Sequence, residues 1–137
     1  MESHINWLAT IVAALSSILI GFVWYNKNVF GKAWMKSLGI TEEHAKGANM
    51  PVIFGVTILV SIIASIYFAR IMGYHGTEDM TIKHGLFHGS EAAAYIALPV
   101  IATNAMFEMR KVSYILINVG YWWATLCAMA VIHSVWR

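Results

Sequence analysis

Two histidines and a glutamate lie close together in the segment KHGLFHGSEAAAY, residues 83–95. In a helix, His84, His88 and Glu91 would fall within roughly 60° of one another. Imidazole nitrogens and a carboxylate oxygen are ligands that a divalent metal such as zinc accepts. His133, near the end of the chain, is the candidate for a fourth ligand. The same four side chains would also suit a proton-exchanging cluster, and His88 with His133 would suit a bis-histidine haem.

A purely structural role competes with each of these chemistries, and it is the interpretation that the sequence favours. Histidines at a membrane boundary can hydrogen-bond to backbone carbonyls or to lipid headgroups. Glu91 can pair with Lys83 or with a tyrosine hydroxyl. A divalent metal, a proton site and a haem therefore stay open as alternatives.

The elements that carry these residues are too apolar for a water-soluble protein. Of the 137 residues, 59% are hydrophobic and only 12% are charged, whereas an ordinary soluble domain is about a quarter charged. Four apolar runs approach the ~20 residues that a membrane-spanning helix needs, namely residues 5–25, 51–71, 84–106 and 113–136. We therefore predict an all-α fold, a single domain over residues 1–137 that forms an integral membrane bundle of four transmembrane helices. The net charge of +2 gives no indication of nucleic-acid binding.

The distribution of lysine and arginine predicts how this bundle is oriented. Six of them follow the first and third runs, namely Lys27, Lys32, Lys36, Lys46, Arg110 and Lys111. Three lie on the other side, namely Arg70, Lys83 and Arg137. The positive-inside rule then places both termini and the histidine cluster outside. In the first basic connection, NVFGKAWMKSLG predicts a short amphipathic cytoplasmic helix that lies on lipid and ends at Gly39.

Small residues recur at every fourth position of each predicted helix. Such stripes let helix backbones approach closely in lipid. The residues predicted to pack in this way are Ala13, Ser17, Gly21, Gly85, Gly89, Ala93, Gly120 and Ala124. The stripes predict a tightly packed bundle that self-associates into a homo-oligomer.

Three further features concern the interior of the bundle. Asn104 and Asn118 are predicted to hydrogen-bond across a helix interface near the cytoplasmic side. Pro99 frees the carbonyl of Tyr95 and predicts a kink in the third helix. The aromatic run at residues 121–123 lies too deep for an interfacial belt. It suits a hydrophobic pocket or, as the favoured interpretation, bulky core packing.

Several segments of the chain resemble a known family. They are INWLA, GFVWYN, FGKAWMKSLGIT with KGAN, and LINVGYWW. They resemble small bacterial membrane proteins grouped as domain of unknown function 1761, and the resemblance covers nearly the whole chain. It implies a four-helix protein of the bacterial inner membrane and implies no activity. The matching residues are Trp24, Tyr25, Phe30, Gly31, Trp34, Asn118, Gly120 and Tyr121, and the His84/His88/Glu91 set lies outside this pattern.

The leading functional hypothesis is a non-enzymatic, oligomeric membrane subunit that acts by assembly or interaction, alone or in a larger membrane complex. No serine or cysteine nucleophile with a matched base can be identified from the sequence. The alternative is a small transporter, channel or sensor that uses the outer His/Glu cluster to bind a divalent metal or protons.

Overall fold

The computed structural model describes residues 4–137, and the regular structure among these residues is entirely helical. Seven α-helices follow one another along this part of the chain: α1 (Trp7–Trp24), α2 (Gly31–Leu38), α3 (Glu42–Lys46), α4 (Met50–Gly73), α5 (Ile82–Ala92), α6 (Leu98–Phe107) and α7 (Val112–Val135). A 3₁₀ turn at Thr77–Asp79 precedes α5, and a π-helical turn at Ala93–Ala97 joins α5 to α6.

Three of the helices, α1, α4 and α7, are long and apolar enough to cross a membrane. They match three of the four apolar runs of the sequence, and the chain is accordingly a helical membrane protein. Large apolar side chains project outward from them, as lipid-facing residues do. Leu19 on α1, Ile63 on α4 and Leu116 on α7 are each more than 60% exposed.

The remaining apolar run, the third along the chain at residues 84–106, is divided where the sequence predicts an irregularity. Pro99 has no backbone N–H, so an α-helix cannot close its hydrogen bond to the carbonyl of Tyr95. The chain adopts the π-helical turn across Tyr95 and continues as α6. The resulting pieces contain 11, 5 and 10 residues, so none of them is long enough to cross a membrane by itself.

The spanning helices pack around small residues. Helices α1, α4 and α7 contact one another, and α5 packs along the other side of α7. A Cβ atom added to Gly85 would lie 2.5 Å from the Cα of Val131, and one added to Gly89 would lie 2.5 Å from the Cα of Cys127. Only glycine permits so close an approach of two backbones, so this small-residue stripe is used for contact within one chain.

The remaining small residues of the predicted stripes lie inside the bundle or along its contacts. Ala13, Ser17 and Ala93 are buried, and Ala124 is half-buried. A Cβ added to Gly120 would meet the Trp24 ring at 2.6 Å. A Cβ added to Gly21 would lie 3.6 Å from the Tyr121 ring.

The two ends of the bundle differ in character. At one end, the connection that contains α2 and α3 lies beside the 108–111 turn; we call this the basic end. Trp24 there donates through Nε1 to the carbonyl of Ile117 at 2.9 Å. Helix α2 ends at Gly39, whose φ of 69° is left-handed, as predicted for that glycine. At the opposite end, residues 74–81 meet the last turn of α7; we call this the histidine end.

Candidate metal site

The 74–81 connection is held against α7 by hydrogen bonds to its backbone. The single hydroxyl hydrogen of Ser134 is shared between the carbonyls of Thr81, at 2.8 Å from Oγ, and Asp79, at 3.2 Å. Arg137 donates through Nη1 to the carbonyl of His75 at 2.6 Å. These bonds place His75 beside the first turns of α5.

Helix α5 supplies two further imidazoles from one face. Thr81 caps the helix, because its Oγ1 accepts a hydrogen bond from the His84 N–H at 3.1 Å. His84 and His88 are one turn apart, so their side chains lie side by side. Their ring centroids are 4.5 Å apart, and those of His75 are 4.4 Å from His84 and 5.0 Å from His88.

The three imidazoles converge closely enough to share one cation. One ligand nitrogen from each of His75, His84 and His88 lies within 4.8 Å of the others. A tetrahedral zinc ion with Zn–N bonds of about 2.0–2.1 Å would hold its nitrogens roughly 3.3 Å apart. Rotation of partly exposed side chains can close this difference without moving a helix.

Two carboxylates lie beside this triad. Nδ1 of His88 is 3.1 Å from Oε2 of Glu91, within hydrogen-bond reach, whereas Nδ1 of His75 is 3.8 Å from Oδ2 of Asp79, beyond that reach. A carboxylate that accepts from one imidazole nitrogen fixes the tautomer and leaves the other nitrogen, Nε2 in His88, to bind a metal. Glu91, predicted as a ligand, thus lies against His88 as an orienting group.

One ring nitrogen of His84 is a candidate metal ligand. Its Nε2 is buried and, within residues 4–137, has no hydrogen-bond partner. A buried polar atom left unpaired costs about 1–3 kcal/mol. A shared cation would give this nitrogen a partner, together with one ring nitrogen from each of its neighbours. Arg137 also places a positive charge at this end, where its Nη1 donates to the carbonyls of His75 and Gly76.

The fourth ligand predicted from the sequence, His133, is not brought to this triad. Its Nε2 lies 2.8 Å from the hydroxyl of Ser65 in the core, between α4 and α7. Ser65 donates its single hydrogen to the carbonyl of Thr10 at 2.8 Å. The hydroxyl therefore accepts from the Nε2–H of His133, and that nitrogen is not free to bind a metal.

Among the described residues, Ser65 and His133 most resemble a catalytic pair of nucleophile and base. Both side chains are buried, with exposed fractions of 0% and 2%. The serine hydrogen points to a backbone carbonyl and not to the imidazole. This pair has the geometry of a core hydrogen bond.

The predicted Asn104–Asn118 contact takes another form. Asn118 Oδ1 accepts from the Tyr25 hydroxyl at 2.5 Å, and its Nδ2 donates to the carbonyl of Tyr114 at 2.9 Å. Burial raises the pKa of the Tyr25 phenol, which therefore stays a neutral donor. Asn104 and Asn118 both line a small cavity of about 250 Å³ between α6 and α7.

His75 is a candidate ligand that the set predicted from the sequence did not include. Its position in the connection, nine residues before His84, has no helical periodicity to reveal the contact. The sequence offers one indication of the contact. His75 lies in the connection between α4 and α5, at the end of the bundle where α5 begins.

Comparison with known proteins identifies the family. Residues 8–134 match the family described as "Protein of unknown function (DUF1761)". The chain belongs to this family. The match spans nearly the whole chain and confirms the resemblance noted in the sequence. The comparison with curated proteins gave no match, and neither did the comparison with solved structures. The function of this DUF1761 chain is therefore argued from its site.

Proposed function

We propose that this membrane protein binds a divalent cation of the zinc class through His75, His84 and His88. The observation that carries the proposal is the convergence of three imidazole nitrogens within 4.8 Å. Two carboxylates support it, because Glu91 lies 3.1 Å from a ring nitrogen of His88 and Asp79 lies 3.8 Å from a ring nitrogen of His75.

The ligand set favours an exchangeable site over a closed structural one. Structural zinc is bound by four protein ligands, whereas three ligands leave a coordination position open. The three histidines are only partly buried, so water can reach that position. An open, accessible site suits capture and release of the ion, as in a transporter or a sensor.

The proposed topology places this site outside. Helices α5 and α6 with their π turn comprise 26 residues, Ile82–Phe107, which at about 1.5 Å per residue exceeds the ~30 Å hydrocarbon core. We infer that this segment is a fourth span and that α2 lies on the cytoplasmic surface. Six of nine basic residues are then cytoplasmic, both termini are outside, and the membrane is the bacterial inner membrane that the family resemblance implies.

Self-association and a subunit role in a larger complex stay predictions, as does the absence of an enzymatic activity. The glycines of α5, which were expected to mediate assembly, face α7 of the same chain. A homo-oligomer would therefore use other surfaces. A bis-histidine haem through His88 and His133 receives no support, because His133 bonds to Ser65.

The proposal is tested by zinc titration of the protein without a histidine tag. After removal of metal with a chelator, protein in lipid nanodiscs is titrated with Zn²⁺ against a chromogenic competitor. We expect one ion per chain. His75→Ala should weaken binding by a factor of ten or more, as loss of about 1.4 kcal/mol does.

Two histidine substitutions provide matched controls. His44 is exposed in α3 at the basic end, and His133 is bonded to Ser65 in the core. His44→Ala and His133→Ala should bind zinc as the parent does. Equal binding by His75→Ala and the parent would refute the site, as would loss of binding in His44→Ala.

A further inference from the structure

A large cavity lies between α1, α4 and α7 in the half of the bundle near the basic end. Its volume is about 1140 Å³, somewhat above the roughly 300–1,000 Å³ typical of ligand pockets. The connection around α3 covers it at the basic end, and Thr57 and Val60 of α4 line its side. It is separate from the histidine triad, which lies at the opposite end.

Small side chains open this space. Helices α1 and α4 meet where the Ser17 and Ser61 hydroxyls are 2.8 Å apart. One turn closer to the basic end, the facing residues are Gly21 and Thr57, which leave a gap. A Cβ added to Gly21 would only touch the Tyr121 ring, at 3.6 Å.

The wall of the cavity is largely aromatic. Seven aromatic side chains line it, namely Phe22, Tyr25, Trp34, Phe54, Tyr114, Tyr121 and Trp122. The Tyr121 hydroxyl donates to the carbonyl of Ser17 at 3.0 Å, and the Tyr25 hydroxyl donates to Asn118. These two hydroxyls are paired within the protein, and most of the remaining cavity surface is carbon, so the cavity favours a hydrocarbon ligand.

Charge is confined to the end of the cavity nearest the connection. Glu43 and His44 line that end. The connection as a whole, residues 26–49, carries four lysines against two glutamates. Lys32 and Lys36 are exposed on α2, where they can meet an anionic headgroup.

We propose that this cavity binds one acyl chain of an anionic phospholipid drawn from the leaflet at the basic end. The chain lies against the rings of Tyr121 and Trp122. The headgroup stays at the membrane surface beside the lysines of α2. Contact with the aromatic side chains of the wall stabilises each methylene group of the bound acyl chain.

Photolabelling in nanodiscs tests the proposal. Phosphatidylcholine discs are doped with phosphatidylglycerol that carries a diazirine in one acyl chain, irradiated, and the labelled residues are mapped by mass spectrometry. We expect label on the cavity wall, around Tyr121 and Trp122. Label found only on lipid-facing residues such as Ile63 would overturn the proposal. Because this experiment uses the wild-type protein, its result does not depend on whether a variant folds.

A filling substitution and a matched control sharpen the test. Thr57→Trp places a ring in the cavity, whereas Leu59→Trp adds the same ring on the outer face of α4, where Leu59 is 65% exposed. We expect Thr57→Trp to reduce wall labelling about tenfold, the effect of losing contact with about two methylenes. Leu59→Trp should leave wall labelling unchanged. Equal labelling of the wall in both variants would contradict the assignment.

Two further probes distinguish the source of the acyl chain. Diazirine-labelled phosphatidylcholine should label the cavity wall less than diazirine-labelled phosphatidylglycerol does. Diazirine-labelled palmitic acid should also label the wall poorly. Equal labelling by both phospholipids would overturn the role of the lysines. Labelling by the free fatty acid alone would overturn the phospholipid as ligand.

Discussion

Replacing Gly89 with alanine should separate helix packing from helix propensity. The added Cβ would lie 2.5 Å from the Cα and 2.8 Å from the backbone nitrogen of Cys127. Ordinary contact begins near 3.4 Å, so α5 must move away from α7 by about 1 Å. Both atoms belong to the α7 backbone, and no rotamer change can relieve the contact.

The size of the effect follows from two opposing terms. Overpacking in a well-packed interior costs typically about 1–3 kcal/mol. Alanine also gains up to about 1 kcal/mol over glycine in a helix. Gly55→Ala in α4 supplies the propensity term alone, since no atom lies within 4 Å of its added Cβ. The difference in unfolding free energy between the two variants should thus be about 1–3 kcal/mol.

The assay is unfolding in mixed micelles with increasing sodium dodecyl sulfate, followed by tryptophan fluorescence. We expect Gly89→Ala to unfold at lower denaturant than the parent, and Gly55→Ala at equal or higher denaturant. Light scattering on the same samples reports the oligomeric state, which neither change should alter. If Gly89→Ala matched Gly55→Ala in stability, the close approach of α5 to α7 would be refuted.

Three further predictions concern single contacts. Ser65→Ala removes the acceptor for the buried His133 imidazole, and we expect unfolding in the same assay to become easier by about 1–2 kcal/mol; an unchanged midpoint would contradict this. Glu91→Gln should weaken zinc binding by about 10–100-fold in the competitor titration, because the orienting carboxylate is lost while size is kept, and undiminished affinity would remove Glu91 from the site. Cys127 is buried against Gly89, so a water-soluble maleimide should label it only after denaturation, and rapid labelling of native protein would show that α5 and α7 are apart.

Features set by local sequence could be predicted closely. The apolar runs that became α1, α4 and α7 are long enough to be recognised without tertiary information. Gly39 ends α2 as predicted, because the end of a helix depends on the conformation of a few neighbouring residues. Pro99 marks where the third run becomes irregular for the same reason.

Contacts between helices could be predicted only in part. The pairing of His84 and His88 follows from helical spacing, whereas the arrival of His75 depends on how Ser134 and Arg137 hold the connection. His133 shares a membrane side with the cluster, but helix rotation turns it toward Ser65. Spacing gives the face that a residue occupies, and packing decides which helix that face meets.

The cavity shows the same limit. The depth of Tyr121 and Trp122 suggested a pocket or a packed core, and both rings line the space between α1, α4 and α7. That space exists because Gly21 of α1 and Thr57 of α4 face each other across a gap. The sequence of either helix alone does not show which residue the other helix brings opposite it.

X-ray absorption at the zinc edge tests the central claim most directly. The zinc-loaded, untagged protein should show about three imidazole nitrogens at roughly 2.0–2.1 Å from the ion, with a water or another light ligand completing the shell. His44→Ala should give the same spectrum. A shell with one imidazole or none in the parent protein would contradict a site formed by His75, His84 and His88.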